Sequence, residues 1–446
     1  MKSESPNQTA PSAELHRSFF HVLFNTLLAN VTTSFLWFAL TFWVYLETHS
    51  VLATAIIGGS YMLLVAIFSI FFGTIVDHNK KKRVMVGSSV FTFIMFMLAC
   101  VMYLIFPEST LLDTASPPFW VFVLIILVGA VVENMRNIAL STTVTLLVPK
   151  DGRDKANGLV GTVAGIGFII TSVFSGLAIG FVGMGWTLAI ATIFTGLALV
   201  HLWFVRIPEE GIVHDPELEN KKIDIRGSIA AIKAVPGLFA LIIFSTFNNF
   251  IGGAYMALMD PYGLTLFSVQ MWGTIFGIAS TGFVIGGILV AKFGLGKNPI
   301  KTLLRLAVIM GILGAVFTIR EWWWLYVIGI WIYMCMIPAI EAAEQTVIQA
   351  VVPYKRQGRV FGFAQAFEAA AAPVTAFVIG PIAEFIIIPY MRSDAGARDL
   401  GWLLGSGDAR GIALVFLIAG LVMALAALLA FGTKSYRMLS AYYATT

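Results

Sequence analysis

Charged and strongly polar residues are sparse along the chain and gather in short breaks between long apolar runs. Runs long enough to cross a bilayer as helices, roughly 20 residues, fall at 19–46, 51–76, 84–106, 119–148, 158–182, 186–204, 237–259, 271–290, 302–318, 322–351, 360–388 and 411–431. The pattern predicts an all-α membrane protein of twelve transmembrane helices, with both termini on one side. The runs at 119–148 and 322–351 exceed a straight span and predict tilt or extension past the bilayer.

Composition narrows the class further. Hydrophobic residues fill 59% of the 446 positions and charged residues 12%, against about a quarter charged in a soluble domain. A surface of that kind suits lipid. No basic groove interleaved with aromatics is visible, which argues against nucleic acid as a partner. Cys100 and Cys335 lie inside apolar runs, so neither a disulfide framework nor a thiolate metal site is implied. The chain has no Walker loop, no metal-ligand spacing among its histidines and no catalytic triad, so an enzyme, a cofactor or a bound metal is not expected.

The placement of charge sets orientation. Lys80, Lys81, Lys82, Arg83, Lys150, Arg153, Lys155, Lys292, Lys297, Lys301, Lys355, Arg356 and Arg359 fall in loops on one side. The opposite loops carry only Arg320, Arg392, Arg398 and Arg410. Cytoplasmic loops are enriched in Lys and Arg, so both termini are expected in the cytoplasm. The cluster Trp322, Trp323 and Trp324 suits the outer interface.

The longest polar stretch, from Pro208 to about Gly227, divides the chain nearly in half. The expected organisation is a cytoplasmic tail at 1–17, a six-helix bundle at 18–206, a cytoplasmic linker at 207–236, a second bundle at 237–433 and a tail at 434–446. The segment at 1–17 lacks the basic start and short apolar core of a cleaved signal. An internal repeat supports the division. Pro149 precedes Gly158 by the same spacing as Pro353 precedes Gly362, each proline follows a valine, and the offset is close to half the chain.

The loop after the second span carries Gly73, Asp77, Lys81 and Lys82 at the spacing G-x-x-x-D-[RK]-x-G-[RK]-[RK], with His78 and Lys80 replacing a base and a glycine. This resembles the signature of the major facilitator superfamily, and the segments at 352–362 and 148–158 resemble junctions of its bacterial macrolide- and multidrug-efflux branch. The resemblance implies two pseudo-symmetric six-helix bundles with a cavity lined by the first, fourth, seventh and tenth helices. It also implies that Asp77 braces a cytoplasmic gate against the eleventh helix near Gly358 to Gly362. A degenerate second copy falls at Gly287, Ala291 and Lys297, its acid lost. The fifth span carries Gly161, Gly165, Gly167, Gly176 and Gly180 but lacks the proline of the superfamily's antiporter signature.

A charge inside the hydrocarbon costs at least ~2.5–3.5 kcal/mol, so each one calls for a reason. Glu133 and Arg136 sit mid-span three residues apart, either neutralising each other or forming a proton site beside a substrate-binding base. Glu341 and Glu344 share a face of the tenth run without a nearby base. Glu341, the deeper, is expected to carry a proton, with Glu344 partly wetted; either could instead pair with Arg136. Glu368, before four alanines and Pro373, is a further proton-coupling candidate. Asn25, Asn30, Asn248 and Asn249 could line the cavity or join helices.

These features predict a secondary transporter, working as a monomer, that exports amphipathic drugs such as macrolide-like compounds or lipophilic cations in exchange for protons. Two alternatives remain open: a transporter for a specific metabolite, lipid or siderophore, with Arg136 meeting an anionic group, and a non-transporting receptor or scaffold.

Overall fold

The computed structural model describes residues 12–48, 51–209, 225–405 and 408–445. Most of the tail expected at 1–17 and half of the linker expected at 207–236 lie outside them. Among the described residues the secondary structure is helical throughout. The membrane-length helices begin with α1 (Ser12–Thr48), α2 (Val51–His78), α3 (Lys81–Ile105) and α4 (Pro117–Leu147). The next helical stretch, Arg153–Phe204, is far longer than one span and is interrupted at Gly183, whose φ of 75° and ψ of 176° are non-helical. Glycine takes that conformation without a side-chain clash. The break separates α5 (153–182) from α6 (184–204). The second half supplies α7 (Leu238–Leu266), α8 (Val269–Phe293), α9 (Pro299–Val316), α10 (Trp323–Val351), α11 (Gln357–Ile382) and α12 (Asp408–Gly432).

Local chemistry explains several of the ends. Pro117 and Pro118 open α4, where a missing N–H costs nothing. Asn298 caps α9 by accepting from the Lys301 amide at 3.0 Å, with Pro299 in the first turn. Ser268 does the same for α8 through Met271, and α8 stops at Gly294, whose φ is 71°. With 31 residues α4 is about 46 Å long, longer than the ~30 Å hydrocarbon layer.

The chain packs as two units. One comprises Met1–Arg153, Ile166–Ala231 and Val352–Ala366; the other comprises Asp154–Gly165, Ile232–Val351 and Phe367–Thr446. The first turns of α5 thus belong to the second unit and the first turns of α11 to the first. The first unit is filled by Leu36, Trp43, Phe96, Phe119, Phe122 and Leu188. The second is filled by stacked aromatics, Tyr255 lying 4.9 Å from Phe416 and Trp272 lying 5.6 Å from Tyr326. Their hydroxyls are satisfied, Tyr255 donating to the Phe416 carbonyl and Tyr326 to that of Met259, as buried tyrosines require. Gly311 of α9 and Gly420 of α12 lie against each other's backbone, a close crossing that side chains would prevent. Outward positions are apolar, with Leu104 and Phe181 each 84% exposed, as a lipid-facing surface requires.

Candidate functional site

Three carboxyl groups converge in the second unit. Glu344 of α10 is buried, and it interacts with Ser245 of α7 and Glu368 of α11. Glu341 lies close enough to both acids to repel them. One oxygen of Glu344, one of Glu368 and the Ser245 hydroxyl have no hydrogen-bond partner among the described residues. The expectation that Glu341 is the sheltered acid and Glu344 the wetted one is reversed: Glu341 keeps an exposed surface, while Glu344 is buried. Three residues of helix turn the two side chains by about 60° from each other, enough to aim Glu344 at α7 and α11. Asn249 donates to the Ser245 carbonyl at 3.1 Å, and Asn248 is half-buried one residue earlier. The described residues contain no group of His, Cys, Asp and Glu side chains arranged to hold a metal ion.

Glu133 and Arg136 occupy a different environment. Arg136 donates through Nε to Glu133 at 2.5 Å, through one terminal nitrogen to Asn25 at 2.6 Å and through the other to Ser89. Ser89 and Thr92 of α3 both donate to the Glu133 carboxylate at 3.3 Å. Asn25 completes the set by donating to the Ala198 carbonyl at 2.7 Å. Arg136 is fully buried and Glu133 nearly so. A charge pair removed from water is tolerable when every lone pair and proton finds a partner, and this network ties α4 to α1, α3 and α6. The geometry favours the pairing alternative for both residues. Asn30 lies outside the network and donates to Asn137 at 3.2 Å.

The signature loop meets α11 inside the first unit. Asp77 is buried and accepts from the backbone amides of Gly358 at 2.7 Å and Arg359 at 3.0 Å, and from the Arg359 side chain at 3.2 Å. A carboxylate at a helix N-terminus gains from both the free amides and the helix dipole. Gly73 and Gly358 make the approach possible, since a Cβ on either would strike the other's backbone. Gly73→Ala is therefore expected to cost about 1–3 kcal/mol, read as a lower melting temperature in detergent. Gly176→Ala, where an added Cβ meets nothing within 4 Å, is the neutral control.

Lys81 donates to the Val76 carbonyl at 2.8 Å, and Lys82 to that of Trp203 at 2.9 Å. Nothing in the local pattern singled out Glu209, five residues past the end of α6. Its carboxylate accepts from the Lys81 amide at 2.7 Å, capping α3, and from the Tyr354 hydroxyl at 3.3 Å. Burial pushes the Glu209 carboxyl above its ordinary range, while the Lys81 charge pulls it back. The available signal was an acid directly after Pro208, in the short segment that follows a span.

A related junction lies in the second unit. Gly158 of α5 and Gly287 of α8 leave no room for side chains between them, and Ala291 lies beside Gly158. The acid absent at Ala291 is supplied from the other partner, because Asp154, at the start of α5, accepts from the Leu295 amide at 2.9 Å. Asn157 adds bonds to Thr346 and Gln349, both at 2.9 Å.

Among the described residues, twelve membrane-length helices in two units, with polar networks and acidic side chains buried inside, define a polytopic helical membrane protein. The sequence pattern of the Major Facilitator Superfamily matches residues 22–376, and the chain belongs to that family of transporters. It is 22% identical over 372 residues to macrolide efflux protein A of Streptococcus pyogenes, covering 80% of this chain and 87% of the relative. It is 23% identical over 325 residues to macrolide efflux protein A of Enterococcus faecalis, covering 69% and 94%. In fold it is similar to a proton:xylose symporter of the superfamily, with a TM-score of 0.67, 14% identity, and coverage of 97% of this chain and 100% of that one.

Proposed function

We propose that the protein is a proton-coupled exporter of amphipathic compounds, macrolide-like molecules or lipophilic cations. It works by alternating access, as a monomer, in the bacterial plasma membrane with both termini in the cytoplasm. The observation that carries the proposal is the convergence of Glu341, Glu344 and Glu368, where one oxygen of Glu344 and one of Glu368 lack a partner among the described residues. Ionised and unpaired inside a membrane protein, such acids are costly. A proton or a cationic substrate removes the cost, and the two exclude each other, which is the requirement for exchange. The names of the two relatives support the substrate class. Arg136 is already committed to Glu133, Asn25 and Ser89, which leaves an anionic substrate without its base. The Asp77 junction and its Asp154 counterpart serve as latches that make and break during the cycle, and the two halves at 18–206 and 237–433 are the elements that move.

The test is flux of erythromycin and of tetraphenylphosphonium in proteoliposomes under an imposed proton gradient. Glu344→Gln and Glu368→Gln are each expected to lower gradient-driven flux at least about tenfold, equivalent to ~1.4 kcal/mol or more in the rate-limiting step. Wild-type activity in both variants would reject the trio as the coupling site. Wild-type flux of either compound that ignores the gradient would reject proton coupling.

A further inference from the structure

Beside the closed Glu133–Arg136 network, the adjacent face of α4 presents Asn137, which accepts from Asn30, and Asn134, which none of the contacts above explains. Asn134 donates to the Tyr61 hydroxyl of α2 at 3.0 Å and accepts from Gln365 at 3.5 Å. The Tyr61 ring lies 5.0 Å from that of Trp37 on α1, tilted by 33°. The indole Nε1–H of Trp37 is buried and has no partner. Tyr61 uses its oxygen as the acceptor for Asn134, and its own O–H meets no acceptor among the described residues. Two neighbouring rings therefore each carry a donor that meets no acceptor among the described residues, where buried donors are normally paired. None of the residues in this set is charged. One turn before Tyr61 on α2, Gly58 faces open space, since a Cβ added there would meet nothing within 4 Å.

We propose that Trp37, Tyr61 and Asn134 form a subsite for a neutral oxygen acceptor, a lactone or ketone carbonyl or a sugar hydroxyl, carried on an apolar ring system. The two aromatic faces take the apolar part, and the indole and phenol hydrogens take the oxygen. The inference rests on the export function proposed above and adds a recognition element separate from the acids. A ligand with oxygen acceptors uses this subsite, whereas a cation without oxygen does not.

The experiment measures equilibrium binding of radiolabelled erythromycin and tetraphenylphosphonium to purified full-length wild type, Trp37→Phe and Tyr61→Phe. Each variant keeps an aromatic ring and removes the donor. Trp37→Phe also loses the second ring of the indole, and Tyr61→Phe the acceptor for Asn134. Melting temperatures therefore verify folding, and the tetraphenylphosphonium affinity controls for lost ring contact. Erythromycin affinity is expected to fall about five- to tenfold in each variant, the loss of one hydrogen bond, with tetraphenylphosphonium unchanged. Equal loss for both ligands, or loss for neither, would overturn the subsite while leaving the export function standing. A wild type that binds tetraphenylphosphonium but not erythromycin would also overturn the subsite. A wild type that binds neither would overturn the export function and the subsite together.

Discussion

Glu133→Gln is expected to cost the folded protein about 3–5 kcal/mol, because it leaves a buried guanidinium without its counter-charge. Arg136 is fully buried, and its Nε–H is aimed at Glu133 at 2.5 Å. A glutamine oxygen keeps one acceptor and loses the charge. The loss is read as a large drop in melting temperature in detergent and in the yield of folded protein. Glu133→Gln combined with Arg136→Met is expected to recover much of it, since removing both members of such a pair is often close to neutral. A variant that melts like wild type yet has lost gradient-driven flux would restore Glu133 as the proton carrier and demote the trio on α10 and α11.

The second large effect is expected at Asp77. Asp77→Ala removes one acceptor from two backbone amides and the counter-charge of Arg359, all of them buried. The arrangement in which α2 holds the start of α11 is expected to lose about 3–5 kcal/mol, enough to displace a two-state equilibrium by roughly two decades or more. A reporter is available at Ser69, which is fully buried and whose carbonyl lies against Gly362. With Cys100 and Cys335 replaced, maleimide labelling of Ser69→Cys is expected to be slow in the parent and at least about a hundredfold faster with Asp77→Ala. Asp77→Asn, which keeps an acceptor oxygen, is expected to fall between them. Equal labelling rates in all three backgrounds would show that the junction carries little of the energy separating the two states.

The apolar runs were sufficient to place every membrane-length helix, because lipid leaves the backbone no alternative to internal hydrogen bonding. Only the junction at Gly183 ran differently, as one nearly continuous helical stretch with a single break. The loop signature was legible because it rests on local spacing: Gly73 and Asp77 lie one turn apart on α2, facing the same partner. Asp154 was not, since its partner is the backbone amide of Leu295, 141 residues away. Glu209 was hidden for the same reason, being joined to Lys81 and Tyr354 by folding alone.

The sequence by itself thus determined the class of protein, the number of helices and the charged residues that need an explanation. Each follows from the cost of placing a given residue type in lipid, and that cost is a property of composition and order. The tertiary structure alone decided what each buried charge does. Glu133 and Glu344 look alike in sequence, each an acid inside an apolar run with a charged neighbour three residues away. One is closed on by Arg136, Ser89 and Thr92, while the other faces acids and keeps an oxygen without a partner. The reason is rotation about the helix axis. A single turn sets which neighbouring helix a side chain meets, and the partner that meets it comes from a distant part of the chain.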